Sequence, residues 1–313
     1  MTQAREMDVL VAGEIYIDLI LSGFDQWPQL GQEAFATEYR REIGGGTAIT
    51  ACGIATLGSR TTVLAVAGRE DGLVLAHRLA SFGVDTSRLQ FETAEPTGFS
   101  VVATMERDRA FLTYPGANRM FDQALREASR TGQLAIARHV HLAYPPRLDD
   151  AVGLLNEIRS NGCTISLDVG WHEEWLNDPR ALELIQHVNI FFPNEAEASR
   201  LTGKTDPAAI LEEFHKAGAD CVALKLGPQG SALLWSETIT FAPPWQVTPV
   251  DTTGAGDSFN AGFLHAWLTG ETPGNCLLMA NICGALSTES YGGVGGFPSR
   301  DRLRGEMDRK GQS

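Results

Sequence analysis

Short apolar runs rich in β-branched residues alternate with segments of helical periodicity along most of this chain, and that alternation narrows its fold more than any other feature. Strands are predicted over 8–12, 61–67, 139–143, 164–168, 190–193 and 221–226. Helices are predicted between them, over 47–57, 72–82, 149–160, 181–187, 195–201 and 207–217. Strands separated by helices of this length build βαβ units, hence an α/β fold with a mainly parallel central sheet. Right-handed crossovers then lay helices on both of its faces. At 313 residues the chain can bury such a core as one domain, taken here as 1–313.

Two segments interrupt this rhythm. Residues 15–41 and 97–114 alternate polar and apolar positions with no helix between, most clearly in GFSVVATMERDRAFLTY. The second reads as a hairpin turning at Arg107-Asp108. Hairpins inserted in an α/β chain predict a small β-sheet beside the main body, placed to act as a lid. The polar tail after Pro298 is expected to form a last helix and then fray.

A net charge of −14 argues against nonspecific binding to nucleic acid or to an anionic membrane. An anionic ligand must therefore be met locally, by backbone amides, a metal ion or a few cations. The five cysteines (Cys52, Cys163, Cys221, Cys276 and Cys283) show no CxxC spacing, as expected for free thiols in a reducing compartment. The first residues lack the pattern of a signal peptide, and no apolar run approaches 18 residues, so the expected location is cytoplasmic.

The chemistry is concentrated in DTTGAGDSFNAGF, residues 251–263. Gly254, Ala255 and Gly256 are small enough for backbone N–H groups to approach an anion, and the helix that follows adds its N-terminal dipole. Asp257 stands beside that cradle, where a carboxylate can take the proton of an attacking hydroxyl. An anion cradle with an adjacent base suits phosphoryl transfer, which depends mostly on positioning and charge stabilisation. A glycine turn whose Asp merely caps a helix is the simpler alternative.

Residue after residue, this string resembles the C-terminal signature of the ribokinase-like (PfkB) family of sugar and nucleoside kinases. The resemblance runs from Asp18 to Pro298 and implies a ribokinase-like three-layer sandwich with a β-lid. It implies Asp257 as the base and Gly254, Ala255 and Gly256 as the transition-state cradle. Gly44 and Gly45, in the run 44–46, resemble the family's N-terminal glycine pair that contacts the sugar, and Asp18 its hydroxyl-gripping aspartate. Asn194 and Glu197 match its N-x-x-E motif, which organises Mg²⁺ and phosphate through water, although that spacing is also a capping box. Lys225 and Gly227 lie at a strand end resembling the nucleotide-contacting one, Lys225 replacing the usual Thr. Asn281 falls where relatives place an Asn near adenine. Asp251 and Thr253, with the glycine loop GGVGGFP at 292–298, resemble the family's K⁺ site.

Several positions depart from the pattern. Ile49 or Thr50 stands where the family carries an Asn after the glycines, and Gly170 and His172 replace the Asn and Arg of a motif that keeps Asp168 and Trp175. Tyr144 takes the place of an acidic sugar ligand and is expected to stack on a sugar face or a nucleobase. The resemblance implies a kinase using ATP, Mg²⁺ and K⁺ to phosphorylate a hydroxymethyl group of a sugar or sugar-like alcohol, in a homodimer. A nucleoside kinase and a non-catalytic sugar-binding module are the alternatives. Two motifs are set aside: ASRLTGKT at 198–205 lacks the first glycine of a P-loop, and His139 with His141 lacks a third metal ligand.

Overall fold

A computed structural model describes residues 5–24, 26–27, 29–104 and 109–310. The strands run β1 Met7–Gly13, β2 Tyr16–Ser22, β3 Glu38–Gly44, β4 Thr61–Gly68, β5 Leu89–Glu92, β6 Phe99–Thr104, β7 Arg109–Tyr114, β8 Ala137–Ala143, β9 Thr164–Leu167, β10 Ile190–Phe191, β11 Cys221–Lys225, β12 Ser231–Trp235 and β13 Thr238–Ala242. The helices run α1 Gly46–Thr56, α2 Arg69–Ser81, α3 Phe121–Arg130, α4 Ala151–Ser160, α5 Glu173–Asn177, α6 Pro179–Leu184, α7 Glu195–Thr202, α8 Pro207–Lys216, α9 Ala255–Leu268, α10 Pro273–Ser287 and α11 Arg300–Lys310.

Nine strands form the large sheet in the order β13-β12-β11-β10-β9-β8-β1-β4-β5. Pairing is parallel from β5 to β11, and only β12 reverses direction. Because side chains alternate across a strand, the inner strands are apolar on both faces and feed two cores. Leu10, Leu64, Val140 and Phe191 pack beneath α3, α4, α6, α7 and α8. Val9, Val63, Ile190 and Ala223 pack beneath α1, α2, α9 and α10. The result is three layers, helix on sheet on helix. Gly262 lets α9 and α10 approach closely, since a Cβ there would lie 2.8 Å from the Met279 carbonyl oxygen and 2.9 Å from Cys283 Sγ. Both helices are apolar almost all round because each is enclosed in this layer.

A separate four-stranded sheet has the order β3-β2-β6-β7. Its two hairpins are joined by parallel pairing of β2 with β6, which sets Asp18 opposite Ser100. Asn118 anchors the base of this sheet: its side chain accepts from the Ile15 amide at 3.0 Å and donates to the Ile15 carbonyl at 2.9 Å.

The predicted strands and helices appear with shifted ends. The strand expected over 190–193 shortens to Ile190–Phe191, because Asn194 already caps α7. Helix α2 begins at Arg69 rather than 72, and the 181–187 helix divides into α6 and a 3₁₀ turn, Ile185–His187. Strands β5, β12 and β13 and helices α3 and α5 were not predicted. The edge strand β13 is mostly exposed, so its pattern carries little hydrophobic signal. The tail forms α11 as expected, and the Arg107-Asp108 turn lies outside the described residues. All five cysteines are buried free thiols, and no described helix is long and apolar enough to cross a membrane.

Candidate active site

The carboxyl ends of parallel strands bring the implicated residues to one edge of the large sheet, where open α/β folds bind ligands. Ala143 ends β8, Asp168 follows β9, Asn194 follows β10 and Lys225 ends β11. The glycine run joins β3 to α1 and crosses this edge between two aspartates. A Cβ on Gly44 would fall 2.2 Å from Asp18 Oδ2, and one on Gly46 would fall 2.9 Å from Asp257 Oδ1. Gly45, at φ 86°, makes the intervening turn and precedes an α1 N-terminus that no side chain caps. Asp18 on β2 and Asp257 on α9 therefore meet the same three residues from opposite ends.

Asp18 is 7% exposed, yet no described residue donates a hydrogen bond to its carboxylate. Burial, with Asp251 and Glu42 nearby, pushes it up to about 6. A carboxylate so enclosed is left with its acceptor capacity for a ligand's donors.

Gly254 is the N-cap of α9 at φ 73°, and no side chain caps this helix end either. The Ala255 amide bends back to the Thr252 carbonyl at 3.3 Å. A Cβ on Gly254 would sit 2.8 Å from Gly293 Cα and 2.9 Å from Ile49 Cδ1, so only glycine fits this turn. Ile49 therefore packs against the signature loop at the point where the family's Asn is missing, while Thr50 donates to the Asp257 carbonyl at 3.3 Å. Burial and the negative charge of Asp168 push Asp257 up to about 7; Lys225 opposes the shift and Glu197 adds to it.

Lys225 is largely buried and pairs with Asp168, Nζ to Oδ2 at 2.7 Å. The Asn260 side chain donates to the same oxygen at 2.6 Å, and the Gly170 amide to Oδ1 at 3.0 Å. Burial alone would raise Asp168, but the Lys225 ammonium and these donors hold it below the usual carboxylate range.

Asn194 and Glu197 form a complete capping box on α7. Glu197 is 3% exposed, and burial together with Asp168 pushes it up to about 7. No group of three or more His, Cys, Asp or Glu side chains stands ready to bind a metal directly among the described residues.

Around the second glycine loop, Asp251 Oδ1 accepts from the Thr253 amide at 2.9 Å and hydroxyl at 2.7 Å, while Oδ2 accepts from the Gly292 amide at 2.9 Å. The Thr288 carbonyl accepts from the Val250 and Asp251 amides at 2.7 and 3.0 Å. Gly227, at φ 55°, opens an exposed 3₁₀ turn beyond Lys225. Asn281 lines a cavity of about 660 Å³ with Pro243, Trp245, Val247 and Leu278, and donates to the Pro243 carbonyl at 3.2 Å. Tyr144 is half-buried, its ring edge-on to Phe121 with centroids 4.9 Å apart.

His139 and His141 share the Ser166 hydroxyl at 2.7 Å each, and His139 also meets Thr164 at 2.8 Å, so both rings pack within the sheet, with His141 Nε2 buried and without a hydrogen-bond partner among the described residues. Gly203 of the discarded P-loop string is simply the left-handed C-cap of α7. Sequence reasoning missed Asn260. Its position three residues after Asp257 puts both on one helical face, but its partner Asp168 is 92 residues away.

The profile of the pfkB family carbohydrate kinases matches residues 7–300. An ATP-dependent ribose-1-phosphate kinase from Halopiger xanaduensis is 31% identical over 302 residues, 94% of this chain and 96% of its own. A 2-dehydro-3-deoxygluconokinase from Bacillus subtilis is 28% identical over 279 residues, 85% and 86% of the two chains. Among solved structures, Arabidopsis thaliana ribokinase complexed with ribose and ATP superimposes with a TM-score of 0.81 at 27% identity, covering 96% of this chain and 98% of that one. With that profile running over nearly its whole length, this chain belongs to the pfkB family of carbohydrate kinases.

Proposed function

We propose that this chain transfers the γ-phosphoryl group of ATP to a hydroxymethyl group of a small carbohydrate, fructose- or ribose-like, with Asp257 as general base. The observation that carries this reading is the convergence of Asp18 and Asp257 on the two ends of the glycine run. Asp18 accepts hydrogen bonds from acceptor hydroxyls, the Gly44 and Gly45 backbone and Tyr144 complete the sugar pocket, and the reacting hydroxyl lies toward Asp257. Asp257 takes its proton as the oxygen attacks the γ-phosphorus and ADP departs. Amides of Gly254, Ala255 and Gly256 at the start of α9 receive the charge on the transferring group. Gly227 and Asn281 lie along the nucleotide, with Asn281 at the base-binding end, while Lys225 is turned to Asp168.

Among the described residues, Asp168, Glu197 and Asp257 face only one ammonium, Lys225, so their excess negative charge fits a divalent cation arriving with ATP. Asn194 and Glu197 would hold Mg²⁺ through its waters, and the ion would supply positive charge to neutralise the phosphates. Asp251 and Thr253 would hold K⁺ with loop carbonyls. Both Asp251 oxygens already accept protein donors, so this ion would use their remaining lone pairs.

The four-stranded sheet serves as a lid over the acceptor, excluding water from the transfer. Exposed Tyr39 on β3 and Leu112 on β7, at 61% and 73%, support a homodimer formed through that sheet. Five buried thiols support a reducing, cytoplasmic setting. The test is ADP release with Mg-ATP and K⁺ across ribose, fructose, 2-dehydro-3-deoxygluconate, ribose-1-phosphate and nucleosides, beside Asp257→Asn. One acceptor driving Asp257-dependent turnover establishes the reading. Nucleotide binding with no turnover on any acceptor would favour a binding module.

A further inference from the structure

Lys225 stands where the family carries a Thr, and its surroundings point away from the solvated lysine that a strand end normally carries. Its ammonium is held by Asp168, which Asn260 from α9 and the Gly170 amide hold in turn. A Cβ on Gly256 would lie 3.5 Å from Lys225 Nζ, so the ammonium sits directly behind the turn that carries Asp257. We propose that Lys225 is a positioning residue for the base: clamped by Asp168 and Asn260 against Gly256, it supplies the positive charge that faces the Asp257 carboxylate. This inference rests on the reading of Asp257 as the base.

The charged groups around Asp257 can be named element by element. Asp168 beyond β9 and Glu197 on α7 are negative, and Lys225 at the end of β11 is positive. His141 on β8 faces the Asp168–Lys225 pair and is kept neutral by burial, pushed down to about 4. The two helices packed most closely on α9 add no charge, since α1 contributes only Cys52 and α10 only Cys276 and Cys283. Thus two carboxylates push a proton onto Asp257 and a single ammonium resists them. A protonated Asp257 cannot accept a proton, so removing that ammonium would leave less of the working form at neutral pH. A threonine could donate a hydrogen bond to a phosphate, but it could not balance this cluster. The Asp168–Asn260 bond also ties the far side of the clamp to the helix that bears the base, so clamp and base move as one unit.

The experiment follows side-chain carboxyl carbons by NMR as pH is varied in the full chain, with the Asp257 signal assigned by its loss in Asp257→Asn. Lys225→Met should raise the Asp257 midpoint by about one pH unit or more, the shift expected from losing an opposite charge at short range. Asp168→Asn should lower it, and Lys225→Arg should restore it. Where Lys225→Met fails to fold because Asp168 is left buried and unpaired, Asp168→Asn is compared with the double variant Asp168→Asn/Lys225→Met. The same upward step is expected there. An unmoved midpoint in both comparisons overturns the proposal. Full turnover by Asp257→Asn would instead remove the base reading and leave this titration as it is, so the two failures are distinguishable.

Discussion

Asn194 and Glu197 are joined by three hydrogen bonds: the Asn194 amide and side-chain nitrogen donate to the two Glu197 oxygens at 2.9 and 2.7 Å, and the Glu197 amide donates to Asn194 Oδ1 at 2.9 Å. One pair thus caps a helix and fixes a buried carboxylate beside the proposed phosphate site. Asn194→Ala removes the cap and leaves Glu197 short of donors. It should lower unfolding stability by about 1–3 kcal/mol in urea titrations. In the proposed role it should also raise the Mg²⁺ concentration needed for half-maximal turnover, by roughly 10–100-fold.

Asp257→Asn separates function from stability. Turnover should fall by several orders of magnitude while nucleotide binding persists, as isothermal titration calorimetry would record. The raised carboxyls give the ligand-free fold a definite pH dependence. Asp257 and Glu197 at about 7 and Asp18 at about 6 all lie above their unfolded values, so each holds its proton longer when folded. Their contribution is fully present below pH about 4 and is lost as pH rises through about 7. Asp257→Asn removes part of that loss and should raise Tm at pH 8 by roughly 2–4 °C over the wild type.

Activity should move oppositely with pH. With Asp257 as the base, kcat/KM should climb as pH rises through about 7 and then level off, because the ionised carboxylate is the working form. A profile flat from pH 5 to 8 would contradict the assignment.

Asp18→Asn keeps the size of the side chain but replaces an acceptor-only carboxylate with an amide. It should raise KM for the acceptor by roughly 10–100-fold, the loss of one or two charge-assisted hydrogen bonds. The nucleotide Kd should stay within about 3-fold, a change smaller than one ordinary hydrogen bond. Competition binding with each substrate separates the two.

Gly46 and Gly254 should fail differently when changed to Ala. At Gly46 the new methyl would stand 2.9 Å from Asp257 Oδ1 and push the carboxylate aside, cutting kcat by about 100-fold with little effect on Tm. At Gly254 the φ of 73° and the contact with Gly293 Cα strain the backbone itself. That variant should lose about 2 kcal/mol or more of stability, read in urea unfolding.

Local patterns in the chain were enough for the βαβ rhythm, the turn and helix at 251–263 and the reciprocal pair Asn194–Glu197. Each depends on neighbours within a few residues, where periodicity, glycine φ and i, i+3 spacing act directly. Tertiary structure decided what lies across the gaps. The parallel pairing of β2 with β6, the meeting of Asp18 with Gly44, and the clamp of Lys225 by Asp168 and Asn260 join residues from 26 to 92 positions apart. Such contacts leave no periodic trace, because a buried charge is fixed by whichever partner the fold delivers. Lys225 shows this most plainly: as a strand-end lysine it reads as surface or phosphate-facing, and only the packed sheet edge makes it the counter-charge of a buried acidic cluster.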